Sequence, residues 1–184
     1  MIEQNVILES QIREIYGRVV YTHKTHEKCA DILKTRNDCL KLIEIILSAA
    51  TTTILFFVLF NNQKLIEIIA AICSTFLLGI TLYSKDYNLL EIAEKHKQAA
   101  LDILEIRESL LSLLIDIRIN KSEIEIFQQR RDKLNEELVK TYRGVPKTIS
   151  KAYKIATKAL KDNEEFTISD SEIDKFLPEN LKRN

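Results

Sequence analysis

The sequence predicts an all-α membrane protein: a two-transmembrane-helix hairpin joined to long amphipathic cytoplasmic helices that form a bundle. Three observations carry this. Gly is 3 and Pro is 2 in 184 residues, so little punctuates the chain and long helices follow. Two apolar runs, Ile45 to Phe60 and Ile68 to Ser84, carry no charge over sixteen and seventeen residues. Outside them, apolar residues recur at helical spacing.

At about 1.5 Å per residue the runs are roughly 24 and 26 Å long as helices, just short of the ~30 Å hydrocarbon core. Flanking Leu42, Ile43, Leu65 and Ile66 extend both to spanning length. The extension takes in Glu44 and Glu67, one near the start of each run. Asn61-Asn62-Gln63-Lys64 is a turn-like break between them. The competing reading is a buried helix pair inside a soluble bundle.

The predicted organisation is one domain over 1–184. An N-terminal helix covers 1–41, the spans cover 42–60 and 65–84, cytoplasmic helices cover 85–142, and a helical tail covers 143–184. In the N-terminal helix Ile12, Ile15, Tyr16, Val19, Val20, Ile32 and Leu33 form the apolar face, with the register blurring from Tyr21 to Lys28. Asn37 and Asp38 are candidate caps for a fresh helix entering the first span. From Tyr87 to Ile119 the amphipathic pattern is strong, and Leu110 to Ile115 is almost continuously apolar, which predicts deep burial. Ser122 and Glu125 offer a capping box for a helix reaching Tyr142. Gly144 and Pro146 end it, and Thr148 is placed to cap a short helix over 149–161. Ser169 and Glu172 form a second capping box, and Pro178 stops the last turn.

Composition bounds the function. Lys plus Arg is 27 and Asp plus Glu is 27, so net charge says nothing about a nucleic-acid partner, and no direct nucleic-acid binding is evident. Cys29, Cys39 and Cys73 match no zinc spacing and suggest no disulfide scaffold, which fits a reducing compartment. The N-terminus is not a cleavable signal peptide in form. No phosphate loop, nucleophile elbow or paired-carboxylate site is evident, so the reading is not an enzyme, with no cofactor and no metal. His23 and His26, at i and i+3, lack a third ligand at matching spacing and read as interhelical or solvent-facing.

Ala71, Thr75 and Gly79 recur every fourth residue in the second span, a small-residue stripe that lets helix backbones approach in lipid. Ser48 and Thr52, and Ala49 and Thr53, answer it on the first span. Ser48, Thr51, Thr52, Glu44 and Glu67 are candidate pore-lining residues. Against that role, hydroxyls can bond the carbonyl four residues back, and a carboxylate at a helix N-terminus is favoured by the dipole. Lys151, Lys154, Lys158 and Lys161 form a basic row, a candidate contact for an anionic ligand or lipid headgroups, or a solvated face. Residues 1–41 hold seven Lys or Arg and the inter-span loop only Lys64, so the positive-inside bias places both termini in the cytoplasm.

The stretch from Tyr16 to Lys28 (Tyr-Gly-Arg-Val-Val-Tyr-Thr-His-Lys-Thr-His-Glu-Lys), followed by the hairpin, resembles the SLATT family of prokaryotic membrane proteins. The tail from Lys158 to Glu165, with Ser-Asp-Ser-Glu-Ile-Asp-Lys-Phe-Leu-Pro over Ser169 to Pro178, is similar to that of one SLATT subgroup. The resemblance covers nearly the whole chain. It implies a pore-forming effector of conflict systems, including anti-phage defence. The reading that follows is a homo-oligomer that permeabilises the inner membrane lipid bilayer. The resemblance also implies a signal-producing partner encoded nearby, a nucleotide synthase or a reverse transcriptase. The alternatives are a passive membrane anchor and a soluble helical interaction module.

Overall fold

A computed structural model describes residues 2–60, 64–119, 123–178 and 182. The fold is 88% helical with no strand among the described residues, as the low Gly and Pro content predicts. α1 runs Ile2–Phe60, α2 Lys64–Tyr87, α3 Leu89–Arg118, α4 Ile124–Gly144, α5 Ser150–Lys161 and α6 Asp170–Asp174.

α1 is continuous for 59 residues, roughly 90 Å at 1.5 Å per residue. The expected fresh start at Asn37 and Asp38 is absent. Both residues sit inside unbroken helix, and the Asn37 amide donates to the Asp38 carboxylate at 3.2 Å instead of capping. Neither residue is a strong breaker, and the helical periodicity on both sides carries the chain through.

The chain divides into two compact units, Met1–Lys28 with Ala99–Asn184, and Cys29–Gln98. In the first, Leu8, Ile12, Ile15 and Val19 of α1 join Ile103, Ile106, Leu110, Leu113 and Ile117 of α3 and Phe127 and Leu138 of α4 in one core. The spacing alternates four and three on α1 and three and four on α3, the seam of coiled-coil packing. Leu111 and Ile115 lie off this stripe and are exposed, while Leu114 only packs partly against it. The apolar run over 110–115 is therefore not buried throughout, because a helix turns every second or third residue of any run away from the seam.

The blurred register has a structural cause. His23, Lys24, Thr25 and His26 are four consecutive buried residues. Here α1 is met on several sides at once. The Tyr142 hydroxyl of α4 donates to Thr22, Tyr153 of α5 packs on Tyr21, and Arg107 of α3 reaches His23. α5 buries Ala152, Ala156 and Ala159.

In the second unit, two stripes of buried or half-buried residues mark the hairpin seam. Glu44, Leu47, Thr51, Ile54 and Val58 lie on α1, and Ile66, Ala70, Cys73, Leu77 and Ser84 on α2. Asn88 separates α2 from α3 with φ 31. Its side chain accepts from the Glu91 backbone N–H at 3.3 Å and donates to the Glu91 carboxylate at 2.7 Å. One asparagine thus takes the left-handed turn that ends α2 and caps α3.

Three expected caps resolve differently. The Ser169–Glu172 box is complete. α5 instead follows Ile149 with no side-chain cap, so Thr148 does not serve. α4 follows Glu123, also without a side-chain cap; Ser122 lies outside the described residues, as do Asn61 to Gln63 of the inter-span turn.

Candidate functional site

The apolar face of the second unit is the first candidate. α1 and α2 each contain an 18-residue window apolar enough to cross a membrane, and only 6% of each window is buried. A helix pair at the heart of a soluble bundle would be mostly covered. Here Ile45, Phe56, Leu59, Leu65, Phe76 and Leu78 are each more than half exposed, more apolar surface than water tolerates on one face. Tyr83 and Tyr87 stack at 4.5 Å near the end of α2, the place where amphipathic aromatics mark a membrane interface.

The small-residue stripe lies outside the chain's own packing. Ala71, Thr75 and Gly79 are exposed, while the seam uses Ala70, Cys73 and Leu77. A Cβ built on Gly79 would meet nothing within 4 Å. Thr75 and Gly79, with Leu40, Phe76, Ile80 and Tyr83, line an open apolar groove of about 400 Å³. Gly79 is therefore not required by any contact within the described chain.

The candidate pore-lining residues differ in burial. Thr51 is buried and Glu44 half-buried on the seam, whereas Ser48, Thr52 and Glu67 are exposed. The threonine hydroxyls are satisfied locally: Thr51 donates to the Leu47 carbonyl at 2.8 Å, Thr52 to Ser48 and Thr53 to Ala49, both at 2.9 Å. Thr75 does the same to Ala71. This back-bonding is what makes hydroxyls tolerable in lipid. Glu67 lies in the first turn of α2, where the helix dipole favours it. Glu44 does not share that support, because α1 has no N-terminus near it; its Oε1 is buried with no hydrogen-bond partner among the described residues.

The first unit holds a second cluster that sequence reasoning did not single out. Lys24 Nζ lies 2.9 Å from the Glu27 carboxylate and 2.6 Å from that of Glu165. Phe166 stacks on His23 at 5.6 Å, with Lys24 Nζ 4.7 Å and the Arg107 guanidinium 4.8 Å from its ring centre. Arg107 also bonds Glu108 at 2.6 Å. Burial pulls the Lys24 ammonium down, but the hydrogen bonds to Glu165 and Glu27 outweigh it and hold the group above its ordinary range. Lys24 in turn holds Glu165 below the usual carboxylate range. Burial lowers His23, aided by Arg107 and Lys24 and opposed by Glu27 and Glu108. The sequence signal for this site was the register blur itself: four residues without an exposed face require neighbours all round.

His23 and His26 are both buried, which favours the interhelical reading. Among the described residues no group of three or more His, Cys, Asp or Glu is placed to hold a metal. Lys151, Lys154, Lys158 and Lys161 are exposed on α5, opposite its buried alanines, with no ion pair among the described residues.

The fold and the uncovered hairpin define an all-α protein with two candidate membrane helices. The sequence profile of the SMODS and SLOG-associating 2TM effector domain family 4 matches residues 8–172. The chain belongs to this SLATT family. No curated protein and no solved structure matches it. Membership implies an effector role in a conflict system.

Proposed function

We propose that the protein is a membrane effector of a prokaryotic defence system that assembles into homo-oligomers and permeabilises the inner membrane. Both termini lie in the cytoplasm, following the charge asymmetry around the spans. A partner encoded nearby, a nucleotide synthase or a reverse transcriptase by the family resemblance, supplies the signal. The single observation behind assembly is the unused stripe. Small residues at Ala71, Thr75 and Gly79 permit close helix approach, and the chain's own packing does not draw on them. The lysine row on α5 is assigned to anionic headgroups or a solvated face.

The test is dye release from liposomes carrying the purified full-length protein. Release that rises with protein-to-lipid ratio supports permeabilisation. Stable insertion without release at any ratio overturns it.

A second reading is a passive anchor that localises the helical module. It is favoured by the threonines, whose hydroxyls are turned to their own backbone and present no free donor to a channel.

A further inference from the structure

From Lys161 to Pro178 nearly every residue is exposed. The tail nevertheless turns back onto the bundle at one point. Glu164 adopts φ 50, a left-handed conformation that few non-glycine residues take. The Glu165 N–H then donates to the Ala159 carbonyl at 3.1 Å. That reversal delivers Glu165 to Lys24 and lays Phe166 against His23 and Arg107. Two adjacent side chains thus tie a largely exposed segment to the bundle, and the residue before them is held in an unfavourable backbone state.

The cations beneath are arranged so that the anchor can leave. A buried charge stripped of its only partner is strongly destabilising. Lys24 and Arg107 avoid this, because each also pairs with a carboxylate on its own helix. Glu27 sits 2.9 Å from Lys24, and Glu108 bonds the Arg107 guanidinium. Removing Glu165 and Phe166 leaves both still paired. The contacts that would break are the ion pairs of Glu165, one-third exposed, with Lys24 at 2.6 Å and Lys28 at 3.9 Å, the Phe166–His23 stack, and the cation–π contacts; salt and water weaken the ionic ones.

We propose that Glu165 and Phe166 form a latch. It closes the C-terminal tail onto α1 and α3, and it opens by exchange of the Lys24–Glu165 pair while the helices beneath stay folded. Opening relaxes Glu164 and frees the tail, with its exposed Ile168, Ile173 and Phe176, to move as a tethered segment.

The experiment is hydrogen exchange on the full-length protein in detergent micelles, followed on peptides over 160–178, 19–28 and 103–113. Glu165→Gln keeps the size of the side chain and removes its charge. Phe166→Ala removes the ring. Phe176→Ala, at a position 85% exposed, is the control. The latch predicts that Glu165→Gln and Phe166→Ala each speed exchange over the tail about tenfold, with α1 and α3 unchanged. Raising NaCl from about 50 to about 500 mM should do the same in the parent, because the Debye length falls to a few ångströms. Phe176→Ala should do nothing. Tail exchange insensitive to both anchor variants would remove the latch. So would α1 and α3 losing protection together with the tail under Glu165→Gln, since the contact would then be part of the core. Because the readout is backbone protection and not leakage, it stands or falls independently of permeabilisation.

Discussion

The hydroxyl of Thr75 donates to the carbonyl of Ala71 at 2.9 Å, one turn back on the same helix. The bond turns the polar atom towards the helix and leaves a small, apolar outer face running on to Gly79, where an added Cβ meets nothing. If that face packs against a second copy, volume matters there and polarity does not.

Gly79→Leu is accordingly the informative substitution. It keeps the span apolar and insertion intact, because Leu is favourable in hydrocarbon. The expected result is a membrane-bound protein that loses cross-linked oligomers, liposome leakage and toxicity on overexpression. Thr75→Ala should be much milder. Parental leakage from Gly79→Leu would take the stripe out of the mechanism and direct attention to Ser48 and Thr52, which are exposed on the first span.

Topology is tested by labelling. Asn62→Cys, in a background where Cys29, Cys39 and Cys73 are replaced, should react with an impermeant thiol reagent added to intact spheroplasts. The turn is then external and both ends internal, as the seven basic residues in 1–41 predict. Labelling only after lysis would reverse the orientation.

The core of the first unit makes a sharp contrast between neighbours. Leu113 is fully buried and Leu110 nearly so, while Leu111 between them is 39% exposed. Leu113→Ala or Leu110→Ala should destabilise the protein by ~2–5 kcal/mol. Leu111→Ala should stay below about 1 kcal/mol in the same denaturant melts, since it leaves no enclosed cavity. Equal losses at all three positions would mean that the outer face of α3 is also covered.

Acidification should weaken the fold through two buried histidines. Burial lowers both His23 and His96 below their ordinary 6.5, with Arg107 and Lys24 adding at His23 against Glu27 and Glu108. The unfolded chain then takes up protons near that pH that the folded chain refuses. Stability present above 6.5 is lost as pH falls through the window beneath it. The melting temperature should drop between about pH 7.5 and about pH 5.5, and His96→Gln should flatten part of that slope. A parent melt independent of pH over this range would show that neither imidazole is held neutral.

Much of this architecture was written locally along the chain. Two charge-free runs, scarce Gly and Pro, and four-three spacing on Ile12, Ile15 and Val19 determined an all-α class, two candidate spans and the bundle face of α1. The Ser169–Glu172 box was equally legible, because a cap is a contact between residues three apart. What tertiary structure decided depends on which neighbours arrive from far along the chain. Leu111 and Leu113 are the same residue type two positions apart, and only the direction of the α1 and α4 seam separates exposed from buried. Continuity of α1 through Asn37 and Asp38, and hence the loss of dipole support at Glu44, was set by helix on both sides and not by cap residues. The Lys24–Glu165 pair joins residues far apart in sequence. No local pattern encodes it, since its partners share no helix, and it exists because α1, α3 and the turn after α5 bring their side chains to one place.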